Sequence, residues 1–509
     1  MAARTDEHTP LLKDVPPEPV DVERSSLEAE RPLSSWTEDE QQGDHREWIR
    51  LQNHPEHNPR AWPRWSKLAN VAVIAMMSIV SPLVSSMFTP GIAEIAEDLN
   101  TDITLVIATT TGFVVFLGIG PLILAPLSET FGRRNLYITC FTIFSLLQIP
   151  AALTPNIEFL IVVRTISGFF GSVGIANGGG TISDMFEPSE RAGVFGWYLL
   201  GPLLGPTLGP LFGGIIVMRL GWRWIFWIMT IVCMVNTLAG YFFLRETYAP
   251  RICAQLKLKW EQDSREANDG THYRYEGEDD RPLWRKMLHS LTRPPKIFSQ
   301  PIVATMSVYQ ALIFGTTYSL YTNMQDIYQG SYGFNTEQVG LLYLGPGLGF
   351  LFAVWFIIPR IDTVYKKLAA RNDDKAMPEF RLPIANIGAI FIPASLFWFA
   401  WSVEMHAHWF ATIVPTFFYG IGQVTILNCT QNYYIDSFEK YAASAIAAGA
   451  VFRSLVGGVI PLFAPALFDK LGYGWGISTF AFVSLALAPA PLFFFWFGER
   501  IRESYKIEL

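Results

Sequence analysis

Apolar runs of roughly 20 residues recur along this chain, near 67–90, 103–126, 135–153, 159–182, 192–217, 222–244, 301–326, 337–358, 383–403, 408–431, 442–468 and 475–497. At about 1.5 Å per residue, a helix made of such a run matches the roughly 30 Å hydrocarbon core of a bilayer. Lipid offers the backbone no hydrogen bonds, so a spanning segment must be a helix or part of a closed barrel, and runs this long and apolar fit helices. The predicted fold class is an all-α membrane protein with twelve transmembrane helices. Composition agrees, because the 509 residues are 50% hydrophobic and only 16% charged, against about 25% charged in soluble domains. The first run follows some 65 polar residues, too late for a cleaved secretory signal.

Charge is unevenly placed. The formal net charge is −7, yet residues 1–47 alone carry 13 Asp/Glu and 5 Lys/Arg, so the remainder is close to neutral. That Pro- and acid-rich segment is predicted to be disordered. Within it Glu7, Leu11 and Leu12 fit a Glu-x-x-x-Leu-Leu sorting pattern, which leaves a vacuolar address open. With both termini cytoplasmic, the inner loops carry 21 Lys/Arg, among them Arg133, Arg134 and Arg191, and the outer loops carry Arg219, Arg223 and Lys470. The positive-inside rule therefore puts both ends in the cytoplasm. The expected organisation is a cytoplasmic tail at 1–65, a six-helix lobe at 66–245, a cytoplasmic loop at 246–300, a second six-helix lobe at 301–498 and a short cytoplasmic tail at 499–509. The stretch 281–298 reads either as a basic amphipathic helix on the inner leaflet or as a solvated linker. Cys140, Cys233, Cys253 and Cys429 have neither metal-ligand nor redox spacing. No metal, cofactor or nucleic acid is expected, and a monomer is.

Two echoes mark the halves as repeats. Glu129-x-x-x-Arg133-Arg134 after the second run is matched by Asp362-x-x-x-Lys366-Lys367 after the eighth, and 219–224 by 470–475. Parallel six-helix repeats predict a substrate site at their interface.

The fifth run, "GWYLLGPLLGPTLGPLFGGIIV" at 196–217, is full of helix breakers, each interior Gly costing about 1 kcal/mol and each Pro about 3 in a helix in water. Small residues let helix backbones approach closely where lipid supplies no hydrophobic drive. Gly196, Gly205, Gly209, Pro210, Gly213 and Gly214 reproduce the antiporter motif of fifth spans in the major facilitator superfamily, which this chain resembles. The resemblance implies a seal between the lobes of a proton-driven exporter. "APLSETFGRR" at 125–134 resembles the superfamily's loop 2–3 signature through Leu127, Glu129, Gly132, Arg133 and Arg134; Ala125 stands where that pattern has Gly, and Glu129 where it has Asp. A carboxylate and two guanidiniums at a helix end can latch one conformation. Arg164, inside the fourth run and followed by Gly168, resembles the arginine that the antiporter branch associates with proton coupling. A charge in the membrane interior costs several kcal/mol unless it has a partner or faces a cavity, and a purely structural arginine is the rival reading. Arg453, in the eleventh run, has no motif around it. "RETYAP" (245–250), "PEFRLP" (378–383), "YAASAIAA" (441–448) and "FGERIR" (497–502) extend the resemblance to the twelve-span drug:proton antiporters of fungi.

The chain has no Gly-Lys dipeptide, so no phosphate-cradling loop, and a gradient rather than ATP is expected to drive it. Span interiors hold no Asp, Glu or His; the candidate proton carriers sit at the margins, at Asp184, Asp326, Glu337 and Glu404. In the seventh run Gln310, Phe314, Tyr318, Tyr321 and Gln325 share one helical face, and Tyr419, Gln423 and Asn428 add similar groups in the tenth. The resemblance places these spans around a central cavity. Without carboxylates such a cavity suits a neutral or singly charged amphipathic solute rather than a polycation. The expected function is export of lipophilic toxic compounds in exchange for protons at the plasma membrane, with polyamine export, or a non-transporting sensor on the same fold, as alternatives.

Overall fold

The computed structural model describes residues 46–49, 51–267, 272–275, 282–372, 375, 377–438 and 442–505. The acidic stretch with Glu7, Leu11 and Leu12 lies outside them. Span 1 (Arg64–Met87) continues through a turn at Thr89–Gly91 into a short helix, Ile92–Asp98. Span 2 is Ile103–Phe131, span 3 Arg133–Ala152, span 5 Pro188–Leu220 and span 6 Arg223–Phe243. Span 4 comes in two pieces, Ile157–Gly171 and Val173–Met185, the first capped by Asn156, whose side chain accepts a bond from the Phe159 N–H. Span 7 (Pro301–Tyr332) stops at Gly333, which takes the left-handed conformation with φ 68°. Span 8 is segmented, running from Thr336–Leu342 through Leu344–Phe352 and a π-turn to Ile358–Arg371. Span 9 is Ala385–Glu404 and span 10 Trp409–Ser437.

Ten stretches among the described residues are long and apolar enough to cross a bilayer, and two physical details bring the crossings to twelve. The stretch Ala442–Leu487 breaks at Gly472 (φ 72°). Phe468 and Phe480 have ring centroids 6.4 Å apart, although twelve residues of straight helix would span about 18 Å. The chain therefore doubles back, giving span 11 (442–471) and span 12 (473–487, continued by Ala490–Ser504). Span 7 falls short on apolarity, because its polar side chains are turned inward and bonded to its own backbone: Thr317 to the Ile313 carbonyl at 2.8 Å, Thr322 to Tyr318 at 3.0 Å and Asn323 to Ser319 at 2.7 Å. A helix with satisfied polar groups buried among its neighbours needs no apolar sequence to sit in a membrane.

Among the described residues one apolar core lies among spans 1 to 6, and the larger of the apolar clusters among spans 7 to 12 centre on residues 309–343 with span 9 and on Val303 with Tyr433 and Tyr434. Outward faces carry exposed apolar side chains, such as Ile231, Val235 and Phe242 on span 6, as a lipid-facing surface requires. The basic stretch before span 7 is a helix, Leu283–Phe298, with Trp284 and Leu288 exposed. Residues 46–49, 257–267 and 272–274 belong to a second, small unit, and a two-stranded sheet pairs Arg46–Ile49 with His272–Tyr275.

The lobes meet along two seams. Between spans 2 and 11, the Thr111 hydroxyl donates to the Gly458 carbonyl at 2.7 Å. Between spans 5 and 8, a side chain on Gly340 would come within 2.9 Å of the Pro210 carbonyl, and Arg219 Nε lies 2.6 Å from Glu337 Oε1. Ser85 of span 1 and Tyr318 of span 7 join the lobes by a 3.1 Å hydroxyl contact.

Candidate functional site

Small residues bring span 4 against its neighbours. A side chain on Gly174 would come within 2.8 Å of the Ser78 backbone nitrogen, and one on Gly168 would strike the Phe113 carbonyl. This close packing encloses Arg164, which is 1% exposed. Its Nη1 donates to the Val84 carbonyl at 3.3 Å, while Nε and Nη2 are buried without a partner. The guanidinium sits 5.0, 4.8 and 5.7 Å from the ring centroids of Phe88, Phe113 and Phe226. A desolvated cation gains about 2 kcal/mol or more from an aromatic face, which softens the burial of the charge but supplies no counter-charge.

The predicted face of span 7 is enclosed but divides among different surroundings: Gln310, Tyr318, Tyr321 and Gln325 are buried and Phe314 is partly buried. The Phe314 and Tyr318 rings lie 4.9 Å apart, tilted by 57°, and the Arg453 guanidinium lies 5.3 Å from the Phe314 ring. Tyr318 has both Arg164, from the first lobe, and Arg453, from the second, as electrostatic neighbours, a relation that the sequence did not reveal. Gln325 instead bonds Thr336 at 3.0 Å, away from this group. In span 10, Tyr419 donates to the Ile313 carbonyl at 2.9 Å, the Gln423 side-chain oxygen is buried without a partner, and Asn428 accepts from Asn432 at 2.8 Å. A small pocket lined by Thr317, Tyr321, Pro346, Phe399, Pro415 and Tyr419 lies inside the second lobe, so Tyr321 and Tyr419 face it rather than the seam between the lobes.

At the end of the bundle where span 1 begins, each lobe carries a charged cluster. Arg133 Nε lies 2.8 Å from Asp184 Oδ2, its Nη1 donates to Ser128 at 3.0 Å, and Glu129 is a further electrostatic neighbour. Asp184 thus holds the arginine at closest range, rather than Glu129 of the same loop. Arg134 donates to the Leu244 and Tyr241 carbonyls. Gly132 has φ 91°, and a side chain there would collide with the Glu246 carboxylate, which accepts the backbone N–H groups of Arg133, Arg134, Thr247 and Tyr248. In the second lobe Lys366 and Lys367 are exposed, and the charged cluster is built on Arg381, which bonds Asp436 at 2.7 Å and Asp362 at 2.5 Å. Burial opposes the charge on Arg381, but the two carboxylates outweigh it and raise its pKa above the ordinary value. Buried Glu379 accepts from Arg502 at 3.0 Å. Of the other marginal acids, Glu337 is taken by Arg219 and Glu404 accepts the Gly474 N–H at 2.8 Å, while Asp326 is exposed and faces Asp469.

The family model for the Major Facilitator Superfamily matches residues 74–461. The chain belongs to the Major Facilitator Superfamily. Members of it are membrane transporters and not enzymes, and this chain is a multi-pass transporter of that fold. It is 37% identical to the MFS-type transporter tndD of Aspergillus flavipes (88% of this chain, 84% of that one) and 38% identical to the MFS-type transporter penM of Penicillium rubens (89% and 88%). It is 36% identical to the efflux pump radE of Floropilus chiversii (89% and 84%). Among solved structures the fold is similar to a bacterial homologue of the human lysosomal transporter Spinster in an inward-facing conformation, at 12% identity and a TM-score of 0.60 (88% of this chain, 100% of that one). It is also similar to the xylose transporter XylE of E. coli, again at 12% and 0.60 (85% and 97%).

The superfamily's antiporter motif divides between two jobs in this member. Side chains on Gly205, Gly209 and Gly213 would strike span 1, with Gly205 2.9 Å from Pro82 and Gly209 2.7 Å from the Leu83 carbonyl. These three recur every four residues and share the face that packs inside their own lobe. Pro210 and Gly214 lie one position on, roughly 100° around the helix, and face span 8: a side chain on Gly214 would come within 2.6 Å of the Thr336 carbonyl. Gly196 lies in the same helix. Of Gly209, Gly213 and Gly214, all expected at the lobe seam, Gly214 lies against span 8 with Pro210, whereas the nearest neighbours of Gly209 and Gly213 belong to span 1 of their own lobe.

Sequence reasoning missed Asp436, Arg381, Glu246 and Glu379 as a group. One signal was present: Asp184-x-Phe186-Glu187 after span 4 repeats as Asp436-x-Phe438-Glu439 after span 10.

Proposed function

We propose that this transporter exports lipophilic, amphipathic compounds in exchange for protons, at the plasma membrane with both termini cytoplasmic. The observation that carries this reading is the fifth-span motif set on a lobe seam, with Gly214 and Pro210 against span 8. A tight seam there shuts a leak path while the lobes rock. Arg164, from span 4, and the Tyr318 face of span 7 supply a buried, largely aromatic interface suited to one solute of modest polarity. Polyamine export is disfavoured because the span interiors supply no carboxylates to replace the hydration of a polycation. The relative named an efflux pump supports the outward direction.

The test is a susceptibility screen of a strain lacking the gene and of one overproducing the protein, against antifungals, secondary metabolites and spermidine. Lipophiles are expected to accumulate in the deletion strain and to leave the overproducer, and Tyr318→Ala is expected to change which compounds leave. Sensitivity to spermidine alone would transfer the assignment to polyamine export.

A further inference from the structure

The charges buried where the lobes meet have one sign. A guanidinium carries five N–H donors and no acceptor. Arg164 uses one nitrogen on the Val84 carbonyl and leaves Nε and Nη2 buried and unmatched. Arg453 leaves Nε unmatched, as does Gln310 at its side-chain nitrogen, one helical turn from the Phe314 ring that Arg453 touches. All of these orphan groups are donors. Among the described residues neither arginine has a carboxylate partner; the ionisable neighbours are tyrosines, Tyr318 for Arg164 and Tyr318 with Tyr434 for Arg453. Span interiors hold no Asp or Glu to serve as one.

Leaving a buried charge uncompensated costs several kcal/mol, so the arrangement calls for an anion from outside the chain. A guanidinium fork suits the two oxygens of a carboxylate, and both arginines have Tyr318 as an electrostatic neighbour. We propose that Arg164 and Arg453, one from each lobe, bind the acidic group of the transported solute, so that the protein selects lipophilic compounds bearing a single carboxylate. The proposal rests on the exporter reading above and narrows it. The rings of Phe88, Phe113, Phe226 and Phe314 around the two arginines favour an aromatic or aliphatic acid over a hydrated inorganic anion. An anion held from both sides also ties the lobes as Ser85 and Tyr318 do, so its arrival and departure bear directly on their movement.

The test uses the full chain in nanodiscs of neutral phosphatidylcholine with three matched probes: 1-hydroxy-2-naphthoate, its methyl ester and 2-naphthylmethylammonium. Equilibrium binding read by probe fluorescence is expected to favour the acid at least about tenfold over the ester, a difference of about 1.4 kcal/mol. Arg453→Gln is expected to remove that preference, and Arg453→Lys to keep part of it, since an ammonium retains the charge without the planar fork. Arg453 is the variant of choice because it is less enclosed than Arg164. Equal or better binding of the ester or the ammonium, a preference that survives Arg453→Gln, or no binding by any probe would overturn the proposal. Competition by inorganic phosphate as strong as that by the naphthoate would replace it with a general anion site. Efflux from intact cells separates the two readings: clearance of the methyl ester but not the acid leaves the exporter standing and removes the anion site, and clearance of no lipophile removes the exporter reading itself.

Discussion

Arg133 and Arg164 belong to the same lobe, are 8% and 1% exposed, and have opposite surroundings. Arg133 has Asp184 at 2.8 Å, Ser128 at 3.0 Å and the Tyr248 ring at 5.3 Å. Arg164 has one carbonyl and three aromatic rings. The second lobe repeats the contrast, with Arg381 held between Asp362 and Asp436 and Arg453 resting on Phe314. Burial is common to Arg133 and Arg164, so it is the missing counter-charge that separates the two roles. A guanidinium matched by a carboxylate holds one lobe's end together; one left unmatched at the lobe interface keeps its demand for an acceptor and is available to whatever passes.

The contrast breaks most sharply at Arg164. Arg164→Ala is expected to abolish export while the protein still reaches its membrane, with Arg164→Lys rescuing poorly because it lacks the planar fork. Transport normalised to surface protein checks this, and full export by the Ala variant would remove Arg164 from the mechanism. Next in size is Asp184→Asn, which removes the closest carboxylate from buried Arg133 and leaves it only Ser128, the Tyr248 ring and the longer-range charge of Glu129. A stability loss of about 3–5 kcal/mol is expected, read as earlier thermal unfolding in detergent, with much of it recovered on adding Arg133→Gln. Failure of the double variant to recover would mean that the pair acts through more than its charges. Asp436→Asn is expected to cost less, about 1–3 kcal/mol, because Asp362 and the Tyr365 ring, 3.9 Å from the guanidinium, remain with Arg381. A loss equal to that of Asp184→Asn would erase the difference between the clusters. The smallest effect belongs to Lys366→Gln with Lys367→Gln, expected within about 0.5 kcal/mol for exposed positions. A large loss there would restore the lysines to the cluster.

Helix number and class were legible because lipid admits few solutions, and length with apolarity announces them. Span 7 shows how far that goes: its run was readable in the sequence, yet its polar side chains keep it below the apolarity of its neighbours, and their hydrogen bonds explain why it still crosses. The loop 2–3 arginines were legible as a charged latch, but the partner that closes on Arg133 at 2.8 Å is Asp184, 51 residues away, because span 4 ends beside it. The echo at 362–367 marked the repeat but not the cluster for the same reason: position in a loop fixes proximity to a helix end, whereas the span 10 carboxylate is reached by Arg381 from the next helix start. Spacing placed Gln310, Phe314 and Tyr318 on one face of span 7. It did not reveal Arg453, whose meaning depends on a helix from further along the chain lying against that face.

The central claim, export driven by proton exchange through this interface, is tested most directly in everted plasma-membrane vesicles from cells producing the protein. The vesicles are given an acid-inside pH gradient without ATP and a fluorescent lipophile to which production confers resistance. Accumulation in the vesicle lumen that follows the gradient, collapses with a protonophore and is absent in Arg164→Ala is the expected result. Accumulation indifferent to the gradient, or dependent on added ATP, would contradict it.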